Sequence, residues 1–360
     1  MTGRSETLAR AAILRATFER AGAQVVETPL LQPAETLLDL YGEEIRARAY
    51  VTSDALRGEQ MLRPDFTVPV VQMHMADGAE PARYTYAGEV FRRQEHDPSR
   101  SNEYVQVGYE VFERQNPAET DAEVFALLAD IVAPLNLRAA TGDIGILMDA
   151  VRGLNTTQAR KAALLRHIWR PRRFRSLLDR YSGRNTLSNA RKELLAGAPT
   201  AGDAPHIGKR TPAEIEARVA RLIADAQTPN ISKGELELLD ALLNVRETLP
   251  FAVQQLQHLA VDLPSISTAV QRVQARADAL AARGVAIDEL PFETSYGRAS
   301  MEYYDGFVFG FYSQDRADLP PIATGGRYDA LTRRLGDGSE IPAVGGVLRP
   351  DLMLTLEAKS

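Results

Sequence analysis

The run Tyr104-Val105-Gln106-Val107-Gly108-Tyr109-Glu110-Val111-Phe112 decides the fold. It is rich in β-branched and aromatic residues, and an extended chain sends successive side chains to opposite faces. Val105, Val107, Tyr109 and Val111 form one face, which reads as core. The other carries Tyr104, Gln106, Gly108, Glu110 and Phe112, so an amide and a carboxylate lie four residues apart with a glycine between them. Glycine weakens a strand interior but lets another group come close to the backbone. The floor of a polar pocket has this pattern.

Working outward, residues 82–92 form a second β-prone run. The polar, charged loop 93–102 joins it to the run at 103–113, which predicts an antiparallel hairpin with a long connection. Beyond it, Val124, Leu127, Leu128 and Ile131 predict a helix over 118–134. On the N-terminal side, 66–77 reads as a helix. So does 5–21, where Leu8, Ala11, Ala12, Leu14 and Phe18 fall at helical spacing before Gly22. A short extended piece, 24–27, is broken at Thr28-Pro29.

From about 150 to 285 the pattern is helical: 157–168, 185–196, 211–227, 233–246 and 264–284, separated by breakers such as Gly183, Pro199, Gly202, Pro205 and Pro229. Strands return at 301–312, 320–324 and 342–348. In the first of these, Glu302, Tyr304, Gly306, Val308 and Gly310 share one face, and Tyr303, Asp305, Phe307, Phe309 and Phe311 share the other. Two glycine-relieved polar faces imply one sheet whose exposed surface takes a small polar ligand. Thr324-Gly325-Gly326-Arg327-Tyr328-Asp329 reads as a strand-to-helix turn with backbone N–H groups open to an anion or a carboxylate. The element order predicts an α+β fold. A core of residues 1–150 and 285–360 is interrupted by an all-helical insertion, 151–284.

Composition narrows the function classes. The 360 residues carry a net charge of -6, which argues against a dedicated nucleic-acid binder, although Arg166, Arg170, Arg172, Arg173 and Arg175 form a local basic run. The absence of cysteine excludes disulfides, thiolate nucleophiles and Cys-ligated zinc. His74, His96, His167, His206 and His258 show no metal-ligand spacing, and no glycine-rich phosphate loop is present, so neither metal nor cofactor is expected. The apolar run at 11–14 is too short for a signal peptide. No stretch approaches the roughly 18 apolar residues of a membrane span. The expectation is a cytoplasmic chain without a membrane partner.

At these residues the sequence resembles the class II aminoacyl-tRNA synthetases, and among them the histidyl branch. Leu62-Arg63-Pro64-Asp65-Phe66-Thr67, Phe91-Arg92 with Tyr104-Val105-Gln106, Glu302-Tyr303-Tyr304-Asp305-Gly306 and Gly325-Gly326-Arg327-Tyr328-Asp329 are similar to its elements, in order. Thr28-Pro29 is similar to the element at that family's dimer interface. The likeness spans roughly 5–150 and 285–350. It implies an antiparallel sheet flanked by helices, a homodimer and a pocket for free histidine. Asp65 and Thr67 would meet the ligand's ammonium group and Arg92 its carboxylate. Gln106 and Glu110 would complete the polar wall, and Tyr303 or Tyr304, with Tyr328, would contact the imidazole.

The departures point away from catalysis. Ala299 stands where the family has a catalytic arginine, with Arg298 one place earlier. In an extended segment that shift turns the side chain to the opposite face. Gln94 replaces an acid, and Leu352 stands where an arginine grips ATP, beside Arg349 and Pro350. No anticodon-binding domain is expected. With ATP handling damaged and the amino-acid pocket kept, the expected role is a non-catalytic, histidine-sensing subunit. It would assemble with the separate catalytic subunit of a histidine-biosynthetic enzyme. The alternatives are a histidine-activating ligase acting on a non-tRNA acceptor and a tRNA-recognising module.

Overall fold

The structure, a computed structural model, describes residues 3–41, 45–94, 100–197, 207–298 and 303–358. Its strands are β1 (Gln24–Val25), β2 (Leu31–Pro33), β3 (Val51–Asp54), β4 (Gly58–Leu62), β5 (Ala82–Phe91), β6 (Glu103–Phe112), β7 (Leu137–Asp143), β8 (Arg246–Thr248), β9 (Pro291–Glu293), β10 (Phe307–Ser313), β11 (Ala323–Arg327) and β12 (Ala343–Leu348). Nine form one sheet in the order β1-β5-β6-β12-β11-β10-β7-β9-β8, and β2-β4-β3 form a second. The large sheet is antiparallel except at β1–β5 and β7–β9. This is a mixed fold with a large, mostly antiparallel sheet flanked by helices, as the resemblance implies.

The β5–β6 hairpin forms where the alternation places it and extends over ten paired positions, from Ala82–Phe112 to Phe91–Glu103. One face of the sheet is closed by the helices Arg4–Arg20 and Pro117–Val132. Phe18 stacks on Tyr109, with ring centroids 5.2 Å apart, and Phe125 packs among Phe307, Phe309 and Phe311. On the opposite face the helix Thr67–Asp77 approaches, with Phe66 stacked on Tyr86 at 4.1 Å and His74 on Phe112 at 4.0 Å. That second face carries Gln106 and Glu110.

Several expectations are corrected. The strand expected over 301–312 starts at Phe307. Residues 303–306 leave the ladder because their polar groups are used elsewhere. The Asp305 carboxylate accepts the backbone N–H groups of Asp329 (3.0 Å) and Ala330 (2.7 Å), and Gly306 O accepts from Ile144 N. The strand expected at 320–324 lies at Ala323–Arg327, so Gly325 and Gly326 are paired on both sides, to β10 and β12. The glycines are therefore in the ladder, and the N–H groups open to a carboxylate are those of Asp329 and Ala330, which the Asp305 side chain occupies. The helical stretch 151–284 contains β8, which pairs with β9 at the sheet's edge. Its helices Pro171–Tyr181 and Leu249–Asp262 were not among the expected runs, nor were the small sheet and β7. His96, His206, Ala299 and Glu302 lie outside the described residues.

Candidate functional site

Asp65, Thr67, Arg92, Gln106, Glu110, Tyr303, Tyr304 and Tyr328, the eight residues singled out in the sequence, all line one pocket. Thr324, Val347 and the two glycines Gly345 and Gly346 complete it. Register explains the arrangement. Glu110 pairs directly with Gly345 of β12, and Tyr86 of β5 pairs with Gly108 of β6. Paired residues share a face, so each large side chain faces a glycine across the ladder. A Cβ on Gly345 would lie 1.5 Å from Glu110 Oε2, and one on Gly108 would lie 2.1 Å from Tyr86 Cζ. These two glycines leave room for the side chains that build the pocket.

Glu110 is 1 % exposed. It accepts hydrogen bonds from Tyr86 Oη (2.8 Å), Thr67 Oγ1 (3.2 Å) and Tyr328 Oη. Burial pushes its carboxyl up to about 7, although the three hydroxyls favour the ionised form. Burial, then the charge of Glu110, raises Tyr86 and Tyr328 far above the usual phenol range, so both remain donors. Asp65 is buried beside Arg92, with Arg92 Nη2 3.7 Å from Asp65 Oδ2, and Arg92 Nε donates to Pro64 O at 2.6 Å. Gln106 Oε1 is buried and accepts no hydrogen bond among the described residues. The pocket thus offers two carboxyl groups, an unused amide oxygen, several hydroxyls and one guanidinium. That set complements a zwitterion carrying additional N–H donors.

Thr324 and Val347 line the pocket, and Tyr86 holds Glu110 by its hydrogen bond without lining it; none of the three was assigned to the site from the sequence. The signal for Tyr86 was available, since strand parity in β5 places it on the face of Glu110. Arg327 is not in the pocket. Buried, it bonds Asp121 (2.8 Å), Asp329 (3.0 Å), Pro117 O and Thr120. Arg276, on the helix Ser267–Ala282, joins the same cluster through Asp121 (2.8 Å) and Asp143 (2.7 Å). Beside it Asp305 is raised, first by burial and then by Asp329. This ionic cluster fixes the backbone from which Tyr304 and Tyr328 project.

The family model for histidyl-tRNA synthetase matches residues 3–225 and 213–352. A relative from Brucella anthropi, an ATP phosphoribosyltransferase regulatory subunit, is 31% identical over 354 residues, covering 92% of this chain and 93% of its own. One of the same description from Brucella ovis is 30% identical with the same coverage. The chain belongs to the histidyl-tRNA-synthetase-like family of ATP phosphoribosyltransferase regulatory subunits. The fold agrees with two solved structures. An ATP phosphoribosyltransferase regulatory subunit/histidyl-tRNA synthetase from Bacillus halodurans has a TM-score of 0.67 at 20% identity, over 98% of this chain and 79% of that one. A histidine–tRNA ligase subunit from Alicyclobacillus acidocaldarius has 0.62 at 22%, over 100% and 96%.

Arg298 and Arg349, the two cations that the sequence places beside the departures from the synthetase pattern, are both engaged within the fold. Arg298 does not line the pocket. Its Nε donates to Ile168 O at 2.8 Å and its guanidinium lies over the Phe174 ring at 4.8 Å. Burial lowers it to about 10. Arg349 is held by both oxygens of Asp351 and stacks on Tyr104 at 3.7 Å. Leu352 is buried. Gln94 turns back to Arg92 O.

Proposed function

We propose that this regulatory subunit binds free histidine in the pocket around Glu110 and assembles with a short-form ATP phosphoribosyltransferase catalytic subunit. In that complex it carries feedback inhibition of the first step of histidine biosynthesis. The observation that carries the reading is the contrast within one molecule. The amino-acid pocket is complete, while Arg298 and Arg349 are committed to Ile168 O and Asp351. In this reading Asp65 and Thr67 hold the ammonium and Arg92 the carboxylate. Gln106, Glu110 and Tyr328 serve the N–H groups, with Tyr303 or Tyr304 against the imidazole. The complex works in the cytoplasm; among the described residues no helix is long and apolar enough to cross a membrane. A homodimer forms through the side of Pro29, where Leu30, Leu31 and, in the same small sheet, Val51 are exposed. The core and the helical insertion, near 151–284, are separate structural units in this reading. Nucleic acid is not a partner.

The test is to mix the chain with a short-form catalytic subunit from the same organism and measure phosphoribosyl-ATP formation with and without histidine. Activity that rises with this chain and falls with histidine supports the proposal. A catalytic subunit indifferent to the chain sinks it.

A further inference from the structure

We infer that the arginine-rich corner between the helices Gln158–Arg166 and Pro171–Tyr181 is where an acidic surface of the catalytic subunit docks. The inference rests on the regulatory-subunit reading and deepens it. Arg166, Arg172 and Arg173 are exposed at this corner, and among the described residues none of the three has an ion-pair partner. Farther along the same helix the arginines are neutralised: Arg175 pairs with Asp240 and Asp179, and Arg180 with Asp225. Arg172 and Arg173 also stand in the first turn of a helix that has no acidic residue there. That end favours anions, so their charge opposes the helix dipole. Cations left unpaired where the fold disfavours them are explained by what they meet outside the chain.

The corner is joined to the pocket. Between its two helices, Trp169 Nε1 donates to Tyr304 O at 3.2 Å, and Ile168 O accepts from Arg298 Nε at 2.8 Å. Arg298 in turn lies over Phe174, on the helix that carries Arg172 and Arg173. A partner held at this corner therefore bears on the backbone that presents Tyr303 and Tyr304 to the ligand. A protein surface fits better than a nucleic acid, because three arginines on a chain of net charge -6 are a short track for successive phosphates.

The experiment compares full-length R172E/R173E with R218E/R221E, an equal charge change on the exposed helix Pro212–Gln227. Assembly with the catalytic subunit is followed by analytical ultracentrifugation, and histidine binding to the chain alone by calorimetry. R172E/R173E is expected to weaken assembly by about tenfold or more at low salt. The gap should narrow at about 0.5 M salt, histidine affinity should be unchanged, and the control should assemble normally. If R172E/R173E also loses histidine binding, R172Q/R173Q takes its place and must still weaken assembly. Wild-type assembly by R172E/R173E, or equal weakening by both variants, overturns the inference. So does retardation of tRNA by the wild type and not by the variant. Failure of the wild-type chain to assemble at all overturns the regulatory reading instead.

Discussion

Glu110 concentrates the chemistry of the pocket into one carboxyl that water hardly reaches. Glu110→Gln keeps one oxygen to accept from Tyr86 and Thr67 and offers an N–H that the Tyr328 hydroxyl can accept, but it removes the charge, so the fold should survive. Histidine affinity should fall by about 10- to 100-fold, the worth of a buried charge-assisted hydrogen bond, as read by calorimetry. The raised carboxyl also makes binding pH-dependent. A ligand N–H needs the ionised acceptor, so below about 7 binding must expel a proton. Titrations in two buffers of different ionisation enthalpy should show proton release at about pH 6.5 and little at about pH 8. Glu110→Gln should show none at either. The stability effect has the opposite sense. A folded pKa above the ordinary carboxyl value of 4.5 gives a contribution fully present below about 4.5 and lost as pH rises through about 7. Urea unfolding should accordingly find Glu110→Gln gaining on the wild type as pH rises across that window. Gly345→Ala, whose Cβ would overlap Glu110 Oε2, should abolish histidine binding in the same calorimetric assay while leaving the protein folded. At this scale the sequence was most legible. Strict alternation in β6 put Gln106 and Glu110 on one face, and the resemblance supplied Asp65, Thr67 and Arg92. Tyr86 was overlooked although strand parity was a signal for it, because its bond to Glu110 depends on the pairing of β5 with β6.

Between elements, the cluster of Arg276, Arg327, Asp121, Asp143 and Asp329 ties the helices Ser267–Ala282 and Pro117–Val132 to β11 and the turn after it. Arg276→Met leaves Asp121 and Asp143 without that cation in a dry interior, where losing one member of a buried pair costs about 3–5 kcal/mol. A urea midpoint unchanged from the wild type would refute this. None of the cluster was legible, since Asp121 and Arg276 are 155 positions apart and each alone reads as a solvated helix residue. The misplaced strand start has a similar cause. Tyr303 to Gly306 have strand composition, but the Asp305 carboxylate caps Asp329 and Ala330 instead. Strand β7, Leu-Arg-Ala-Ala-Thr-Gly-Asp, lacks the alternation that marked β6 and is made a strand by pairing with β10 over seven positions. The hairpin and the flanking helices were legible because their periods match their burial.

For the molecule as a whole, the proposed reading, in which the pocket takes histidine while Arg298 and Arg349 are engaged within the fold, predicts that the chain alone catalyses no histidine-dependent exchange of pyrophosphate into ATP. Exchange above background would favour the ligase alternative. Leu31→Glu, on the apolar side near Pro29, should convert a dimer to monomers in sedimentation without changing the circular dichroism. The pairing of Gly345 with Glu110 also bears on how such a protein can change over generations. Any larger residue at 345 strikes the carboxylate, while a shorter one at 110 leaves three hydroxyls facing an empty place. A lineage adapting this pocket to another amino acid must therefore pass through an ancestor that recognises neither, unless both positions change together. Selection on single steps holds the specificity where it is.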